Sequence, residues 1–295
     1  MEVLKVENLS KNYGQIKALK EVNFSVPAGT VFGILGPNGS GKTTLLGIIM
    51  DVLKASGGSY RLFGQEPTHE HRKQIGTLLE TPNFYHYMTA VQNLKVSAAI
   101  KERGEDDIDR VLEIVNLAAR KNSRFSTYSL GMKQRLAIGA ALLGNPDVLV
   151  FDEPTNGLDP VGIAEIRELI KKLSQQGKTI IMASHLLDEV EKVCTHVAIL
   201  KQGNLLTYGD VNEILVNEDV VEIRSSEMSR MEDVMKRIPG HTSIKMSEGN
   251  LHVLFPAGTA DLASVNRFCF DNGIILSHLQ LKKKSLESKF FELTN

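Results

Sequence analysis

Several features that mark other classes of protein are scarce or missing in this sequence. Its 295 residues include only two cysteines, Cys194 and Cys269, which share no motif spacing, so we expect two separate buried thiols rather than a disulfide. The longest apolar runs, such as 138–143 and 179–182, are far shorter than the ~20 residues that cross a bilayer. No basic-then-apolar leader precedes the strand-like pattern of residues 3–6. We therefore expect a soluble protein that reaches a membrane only through a partner.

A strong net charge of either sign is also missing. The 34 basic and 35 acidic residues give a formal net charge of -1. A general nucleic-acid binder usually carries a basic patch, and the run Lys282–Lys284 is short enough to be a solvated face instead. We therefore expect no nucleic-acid partner. The length suffices for a full core and for two domains.

Strand and helix patterns alternate over the first two thirds of the chain. The pattern predicts strands with turns over 1–35, including Lys20–Pro27 and the apolar strand Thr30–Leu35, followed by a loop at Gly36–Gly41 and a helix at Lys42–Leu53. It predicts a mostly helical stretch over about 70–144, with the best periodicity at Thr89–Lys101 and Asp107–Asn116. It ends with a strand at Val148–Phe151, a helix at Val161–Gln176 that closes at Gly177, and a strand at Thr179–Ala183. Nearly all-apolar strands suit a parallel sheet that is covered on both faces. This order predicts a doubly wound α/β core with a helical insertion.

Near residue 216 the character of the sequence changes. The pattern there predicts a strand at Val220–Arg224, a helix at Met228–Ile238, a hairpin of His241–Met246 and Leu251–Phe255 around Glu248-Gly249-Asn250, a helix at Asp261–Asn272 and a strand at Ile274–Leu281. A βαββαβ order makes a small α+β, ferredoxin-like domain. We therefore predict two domains, 1–215 and 216–295. The second has no metal cluster, nucleophile set or second phosphate loop, and its residues fit dimerisation, regulation or simple capping of the core equally well.

A glycine-rich loop follows the apolar strand and precedes the first predicted helix. The residues Gly36-Pro37-Asn38-Gly39-Ser40-Gly41-Lys42-Thr43, followed by Thr44, fit the phosphate-loop pattern in the context that confirms it. Glycines let consecutive backbone N–H groups turn onto phosphate oxygens beside a helix N-terminus. Lys42 would reach the β- and γ-phosphates, and the Thr43 hydroxyl would hold Mg²⁺. Kinases and GTPases share this loop, so it does not by itself select a reaction.

Polar residues also follow the next two core strands. Asp152 and Glu153 close the strand at 148–151, where Asp152 would face Mg²⁺ through water and Glu153 would polarise the water that attacks the γ-phosphate. Adjacent side chains diverge on a strand, so the pair can divide these roles only at its frayed end; a solvated acidic turn is the alternative. His185 follows the strand at 179–183, and strand ends in such sheets line the ligand crevice. It would bond the γ-phosphate and hold Glu153 and water in line, although a lone histidine is more often structural.

Together these motifs resemble the nucleotide-binding subunit of an ATP-binding cassette (ABC) transporter. The ordered set spans about residues 1–215 and comprises Tyr13, Gly36–Thr44, Ser129–Leu136, Asp152–Pro154, Gly157-Leu158-Asp159 and His185. The resemblance implies a P-loop NTPase core with an antiparallel β subdomain, and ATP and Mg²⁺ as ligands. It also implies that Tyr13 stacks on adenine.

The resemblance further implies that the active site needs a second chain. Ser129 and Gly131 match the signature residues that bind the γ-phosphate of ATP held by the opposite subunit, and Asp159 matches an aspartate that crosses the same interface. Two chains, most simply two copies of this one, must then sandwich two ATP molecules head to tail. The family also implies an integral-membrane permease on a separate chain, and hence a cytoplasmic protein held at the inner face of the cell membrane.

Two positions depart from the usual family pattern. The signature Leu-Ser-Gly-Gly-Gln here reads Tyr128-Ser129-Leu130-Gly131-Met132, so Leu130 adds bulk and Met132 cannot hydrogen-bond as glutamine does. Glu80 occupies the place of the glutamine that joins the core to the insertion; its carboxylate can face Mg²⁺, but it adds negative charge beside the triphosphate. These departures, Phe84-Tyr85 and the segment Ser285–Leu293 resemble the ATPases of bacitracin- and lantibiotic-type peptide exporters, a match that is weak for the substrate.

The mechanism that we expect is ATP-dependent dimer closure, which the insertion around Glu80–Val91 passes to the permease. To shift the two copies from a closed-to-open ratio of 1:99 to one of 99:1, ATP must bind the closed state more tightly than the open state by ~5.5 kcal/mol. A nucleotide-gated regulatory subunit with weak hydrolysis is an alternative, motivated by Glu80 and Leu130. A soluble ABC protein of DNA repair or translation is less favoured, because fewer than ninety residues separate Thr44 from Ser129 and only one cassette exists.

Overall fold

The computed structural model describes residues 1–79, 81–215, 218–247, 249–282, 286 and 289–290. They form two compact units, 1–209 and 210–295. The second unit thus begins at Asp210, where the sequence predicted 216. Among the described residues, no helix is long and apolar enough to span a membrane.

The elements of the first unit alternate between strands and helices. The strands are β1 (Glu2–Tyr13), β2 (Ile16–Pro27), β3 (Val31–Leu35), β4 (Gly57–Leu62), β5 (Ile75–Leu78), β6 (Val148–Asp152), β7 (Thr179–Ser184), β8 (His196–Lys201) and β9 (Asn204–Asp210, whose last residue opens the second unit). The helices are α1 (Lys42–Ile49), α2 (His69–Lys73), α3 (Ala90–Lys101), α4 (Ile108–Ile114), α5 (Leu130–Leu142), α6 (Pro160–Gln175) and α7 (Leu187–Glu191).

Two sheets carry this unit. The six-stranded sheet has the order β5-β6-β7-β3-β8-β9, and the pairs from β5 through β8 are parallel. The antiparallel sheet has the order β2-β1-β4. Every residue of β3, β6 and β7 is buried, as expected for parallel strands covered on both faces. The predicted α/β core with an antiparallel β subdomain is therefore confirmed.

The two sheets share one apolar core. Val22, Phe24 and Val26 of β2 are buried, as their alternation predicted, and they belong to the same cluster as Phe32 and Ile34 of β3. The rings of Phe24 and Phe32 stack with centroids 5.4 Å apart. This packing fixes β2 against the strand that leads into the glycine-rich loop.

Two sequence predictions in this unit were wrong in extent. The helix predicted to reach Leu53 ends at Ile49, because Asp51 adopts a φ of 62° and the chain reverses, so that the amides of Val52 and Leu53 donate to Gly47 O at 2.8 and 3.0 Å. The stretch predicted as mostly helical also contains β5, which pairs with β6 at the edge of the parallel sheet. The helices predicted at 89–101, 107–116 and 161–176 are present as α3, α4 and α6, with ends shifted by one or two residues.

The second unit contains α8 (Val211–Leu215) and a four-stranded antiparallel sheet with two further helices. Its remaining elements are β10 (Glu218–Ser225), α9 (Met228–Met235), β11 (Ser243–Ser247), β12 (Asn250–Pro256), α10 (Leu262–Asp271) and β13 (Leu276–Lys282). The sheet order is β11-β12-β10-β13. This is the predicted βαββαβ arrangement, in which alternate residues such as Val221, Ile223 and Val253 pack against α9 and α10. Of the predicted hairpin turn, Glu248 lies outside the described residues.

Both cysteines are buried and free, as predicted. Lys282 is exposed, as expected of a solvated face, and its ammonium lies 2.6 Å from Glu222 Oε2; Lys283 and Lys284 lie outside the described residues. Glu222 is buried on the sheet face opposite the helices and also contacts His252 Nε2 at 2.8 Å and His278 Nε2 at 3.0 Å. The contacts with Lys282 and His252 hold the pKa of this carboxyl at about 2.

Candidate nucleotide-binding site

The order of the parallel strands brings three groups of polar residues to one edge of the sheet. The neighbours β6, β7 and β3 are followed directly by Glu153, by His185 and by the loop Gly36–Gly41. Because these strands are parallel, their carboxyl ends lie side by side, and such edges are where open α/β sheets bind ligands. The structure therefore brings together the phosphate loop, Glu153 and His185.

The loop needs glycine where it turns into α1. Gly41 has a φ of 108°, which side chains rarely adopt, and a Cβ there would lie 2.6 Å from Ala18 O of β2. Asn38 and Gly39 are exposed, whereas Ser40 is buried and its Oγ has no hydrogen-bond partner among the described residues. Buried polar groups are normally satisfied, so this hydroxyl is a donor available to a ligand in the cradle.

Lys42 opens α1 with its ammonium folded back over the loop. Its side chain is 5% exposed, and Nζ lies 2.8 Å from Gly36 O and 3.4 Å from Pro37 O. It also lies 3.3 Å from Glu153 Oε1. Thr43, the next residue, is exposed, and Thr44 is half-buried. A buried cation ringed by oxygens fits a polyanion, because phosphate oxygens can take over the same contacts.

Glu153 joins the lysine to the histidine. Its second oxygen, Oε2, lies 2.8 Å from His185 Nδ1 and 3.4 Å from the His185 amide nitrogen. Strand β6 ends at Asp152, which is buried, and Glu153 has a φ of 48°. This turn takes Glu153 out of the extended backbone of β6, and such a strand end is the condition under which the two acids could divide their roles. The contact with Nδ1 orients the imidazole ring and leaves Nε2 on its far side, away from Glu153.

A close contact behind β3 fixes the segment that carries His185. Helix α7 begins two residues after this histidine, and its Val190 lies against Gly33 in the middle of β3. A Cβ on Gly33 would lie 2.7 Å from Val190 Cγ1 and 3.0 Å from Cys194 Sγ. Burial raises the pKa of the Cys194 thiol, so this sulfur serves packing rather than chemistry.

The signature residues face outward at the start of α5. Ser129 is exposed, and its Oγ accepts a hydrogen bond from Met132 N at 3.3 Å. A Cβ on Gly131 would meet nothing within 4 Å. Leu130 is 48% exposed, with Cδ2 3.3 Å from the place where a Cβ on Gly157 would lie. A helix N-terminus with an exposed hydroxyl can bind an anion that arrives from outside the chain.

Asp159 has a structural role that the sequence analysis missed. Its Oδ1 accepts from Gly162 N at 2.9 Å, so it caps the N-terminus of α6, with Pro160 as the first helical residue. The signal for this cap was the pair Asp159-Pro160 before an apolar-periodic segment. The sequence analysis also missed the ion pair between Lys42 and Glu153, which no spacing rule indicates.

Tyr13 lies outside this contact chain. Tyr13 ends β1 with its ring 45% exposed, and the Lys11 ammonium lies 5.0 Å from the ring centroid. The paired strand β2 approaches the phosphate loop through Ala18 and Leu19, which lie opposite Gly41. Glu80 lies outside the described residues, so its place beside Mg²⁺ stays a prediction.

Comparison with known proteins agrees with this geometry. A family model described as "ABC transporter" matches residues 19–156. The bacitracin transport ATP-binding protein BcrA of Enterococcus faecalis is 33% identical over 297 residues, which cover 99% of this chain and 96% of that protein. The lantibiotic transport ATP-binding protein SrtF of Streptococcus pyogenes is 37% identical over 204 residues, covering 69% and 89%. The dimeric ATP-binding cassette MJ0796, solved in a post-hydrolysis state with ADP and Pi, has a TM-score of 0.62 at 28% identity, covering 70% and 98%.

The fold and the matched residues define an ATP-binding cassette ATPase. The chain belongs to the ATP-binding proteins of ABC transporters, and it is similar to members named for bacitracin and lantibiotic transport. The family predicted from the motifs is confirmed. Because the match to BcrA spans 99% of the chain, the similarity extends beyond the cassette into the second unit.

Proposed function

We propose that this chain is the ATPase of a membrane exporter, in which two copies close around two ATP molecules and drive a separate permease. The observation that carries the proposal is the chain of contacts from Lys42 through Glu153 to His185, at the mouth of the phosphate loop. It provides a cation for the triphosphate, a carboxylate for the attacking water and a histidine that orients the carboxylate. A peptide-like cargo is suggested by the names of BcrA and SrtF, and the export direction by the resemblance of the motifs to those of bacitracin- and lantibiotic-type exporters.

Each residue of the cradle has a distinct task in this proposal. The backbone amides of Gly36–Thr44 bind the phosphate oxygens, Lys42 moves from the carbonyls of the loop to the β- and γ-phosphates, and Tyr13 stacks on adenine. The Thr43 hydroxyl and the Asp152 carboxylate, with Glu80 as a predicted third group, would hold Mg²⁺. These hard oxygen donors are the type that Mg²⁺ prefers, and the ion supplies charge neutralisation between the phosphates.

Glu153 acts as the general base once the triphosphate has taken Lys42 from it. The freed carboxylate then accepts a proton from water that is positioned toward the γ-phosphate. His185 keeps Glu153 in place through Nδ1, and its Nε2 side faces the γ-phosphate. The left-handed turn at Glu153 matters because it lets the base and the adjacent Asp152 serve different partners.

The second chain enters through the exposed signature. Ser129 and Gly131 at the start of α5 supply a hydroxyl, open backbone and a helix N-terminus to the γ-phosphate held by the partner copy, and Asp159 lies at the same interface. Loss of the γ-phosphate removes these contacts, so the copies separate. The insertion around residues 80–91 passes this motion to the permease, which holds the ATPase at the inner face of the membrane.

Complementation between two inactive variants tests the head-to-tail arrangement. In a mixed dimer of Lys42→Ala with Ser129→Ala, one site carries both defects, whereas the other combines an intact Lys42 with an intact Ser129. We therefore expect phosphate release from the mixture to exceed that of either variant alone. The matched control is the double variant, with both changes in one chain, mixed with Lys42→Ala; no site in that mixture is complete. A mixture that gives only the average of the two single variants would contradict the proposal.

A further inference from the structure

A basic cavity lies apart from the nucleotide site, between α2, β5 and the end of α3. It has a volume of about 470 Å³. Four cationic side chains line it, Arg72 and Lys73 from α2 and Lys101 and Arg103 from the end of α3 and the following turn. Among the described lining residues, Glu102 is the single acid. None of the lining residues belongs to the phosphate loop or to the strand ends that carry Glu153 and His185.

The negative charges near this cavity lie at its rim. Lys73 Nζ lies 3.1 Å from Glu102 Oε2 and 3.4 Å from Glu70 Oε1, and Arg72 Nη2 pairs with Asp51 Oδ2. All three carboxylates are mostly exposed, at 74% for Glu102 and Glu70 and 57% for Asp51, whereas the Arg72 side chain is only 17% exposed. Water therefore screens the acids more than it screens the arginine.

The two cations from the α3 side have no acid partner among the described residues. Lys101 Nζ donates to the carbonyls of Ala140 and Ala141 at 2.6 and 3.4 Å, at the last turn of α5. Burial, together with the charge of Arg103, lowers the pKa of Lys101 to about 8. Two cations held side by side in a half-buried place disfavour each other, and an anion between them would relieve this cost.

Unpaired donors on two of the arginines also favour a bound anion. Arg72 Nη1 and Arg103 Nε are buried and have no acceptor among the described residues. Leaving a buried charged donor unpaired is costly, and native structures normally satisfy such groups. The positions of the side chains have a structural explanation, because Lys101 caps α5 and Arg103 covers Gly144, where a Cβ would lie 2.7 Å from Arg103 Cδ. That explanation leaves the surplus charge unaccounted for.

We propose that this cavity binds a small polyvalent oxyanion, a ligand that carries at least two negative charges on phosphate or carboxylate groups. Arg72 and Lys73 contact it from α2, and Lys101 and Arg103 contact it from the α3 side. The volume exceeds that of a single phosphate, and Met50, Ile75 and Ile100 add apolar wall, so the ligand carries some carbon framework or a second anionic group. Because the four cations come from segments on either side of β5, the bound anion links α2 to the end of α3.

Calorimetric titration with pyrophosphate tests the site in the full chain. Pyrophosphate also binds a phosphate loop, so the background variant is Lys42→Ala, in which we expect one binding event to remain. Adding Arg103→Gln should weaken that event about tenfold to hundredfold, as loss of a hydrogen bond to a charged group does. The matched control adds Lys95→Gln, which removes a mostly exposed lysine on α3 that does not line the cavity, and should leave binding unchanged.

A vesicle-binding experiment decides whether the anion is a lipid headgroup or a free molecule. Vesicles of phosphatidylcholine with phosphatidic acid are compared with vesicles of phosphatidylcholine alone, for the Arg103→Gln and Lys95→Gln variants. Vesicle binding that requires both phosphatidic acid and Arg103 would identify the ligand as a lipid headgroup. Binding of pyrophosphate without such vesicle binding would identify it as a free anion. Thermal unfolding verifies that Arg103→Gln is folded; if it is not, Lys73→Gln takes its place.

Three results would overturn the proposal. The first is a Lys42→Ala variant that binds no pyrophosphate and whose vesicle binding does not depend on Arg103. The second is equal binding by the Arg103→Gln and Lys95→Gln chains, which would make the cluster purely structural. The third is Arg103-dependent binding of polyglutamate with none of pyrophosphate or vesicles, since the site would then recognise an acidic polypeptide.

Discussion

Replacing Glu153 with glutamine separates ATP binding from hydrolysis. The substitution keeps the shape of the side chain but removes the charge and the ability to accept a proton. Glu153 Oε1 and Lys42 Nζ are 3.3 Å apart, so their attraction is about 5 kcal/mol at an effective dielectric constant of ~20. A triphosphate must replace this attraction when it takes Lys42. We therefore expect Glu153→Gln to bind ATP at least as tightly as the unaltered chain.

Hydrolysis should respond in the opposite direction. A positioned general base contributes about 10²–10⁴-fold to a rate, and we expect phosphate release to fall by that factor. Dimers closed around ATP should then accumulate, because the γ-phosphate that bridges the copies is no longer removed. The amide can still accept from His185, so the fold around the strand end should persist.

The assay combines single-turnover phosphate release with light scattering in the presence of ATP. Glu168→Gln is the matched control, since this glutamate is exposed on α6 and lies 3.1 Å from Lys171. Its turnover and its monomer–dimer balance should match those of the unaltered chain. If Glu153→Gln turns over ATP as fast as Glu168→Gln, the role assigned to Glu153 is refuted. Slow turnover with no ATP-dependent dimer would instead refute closure by γ-phosphate bridging.

Three further changes test other parts of the structure. Gly41→Ala should abolish ATP binding and destabilise the fold by ~1–3 kcal/mol, because φ is 108° and the new Cβ would meet Ala18 O; nucleotide titration and urea unfolding measure the two effects. Ser129→Ala should cost ~1 kcal/mol through loss of a helix cap, but should reduce ATP-dependent dimerisation far more; an equal loss of both would leave Ser129 as a cap only. The folded-state pKa of Glu222 is depressed to about 2, chiefly by Lys282, so ionised Glu222 stabilises the fold above pH 4.5, and this stabilisation is lost as pH falls toward 2. In unfolding experiments between pH 4.5 and pH 2, Glu222→Gln should therefore lose less stability than the unaltered chain.

Much of the fold could be predicted because its signals are local. All-apolar strands such as β3, alternating strands such as β2 and the helix that closes at Gly177 each carry their own periodicity or stop signal. The early end of α1 could not be predicted in this way. Val52 and Leu53 continue its apolar pattern, and only the left-handed turn at Asp51, whose φ is 62°, ends the helix. The four residues of β5 are likewise too few to stand out within a stretch of helices.

The candidate site likewise contains features that the sequence predicts and features that depend on the folded structure. The phosphate loop and the acids after β6 follow from residue type and order, since parallel strands place their ends side by side. The contact of Lys42 with Glu153 depends on how far a side chain folds back over the loop, which no sequence pattern encodes. Glu222 shows the same limit, because its partners His252 and Lys282 lie on two other strands and become neighbours only through the register of the sheet.

The close packing at Gly33 means that the chemistry at the strand ends is sensitive to a residue that touches no nucleotide. Any side chain there would press on Val190 and displace α7 outward. His185 would move with that helix, since only Leu186 separates them, and the hydrogen bond that steadies Glu153 would lengthen. A methyl group in the middle of β3 should therefore slow ATP turnover while every residue that handles ATP stays unaltered.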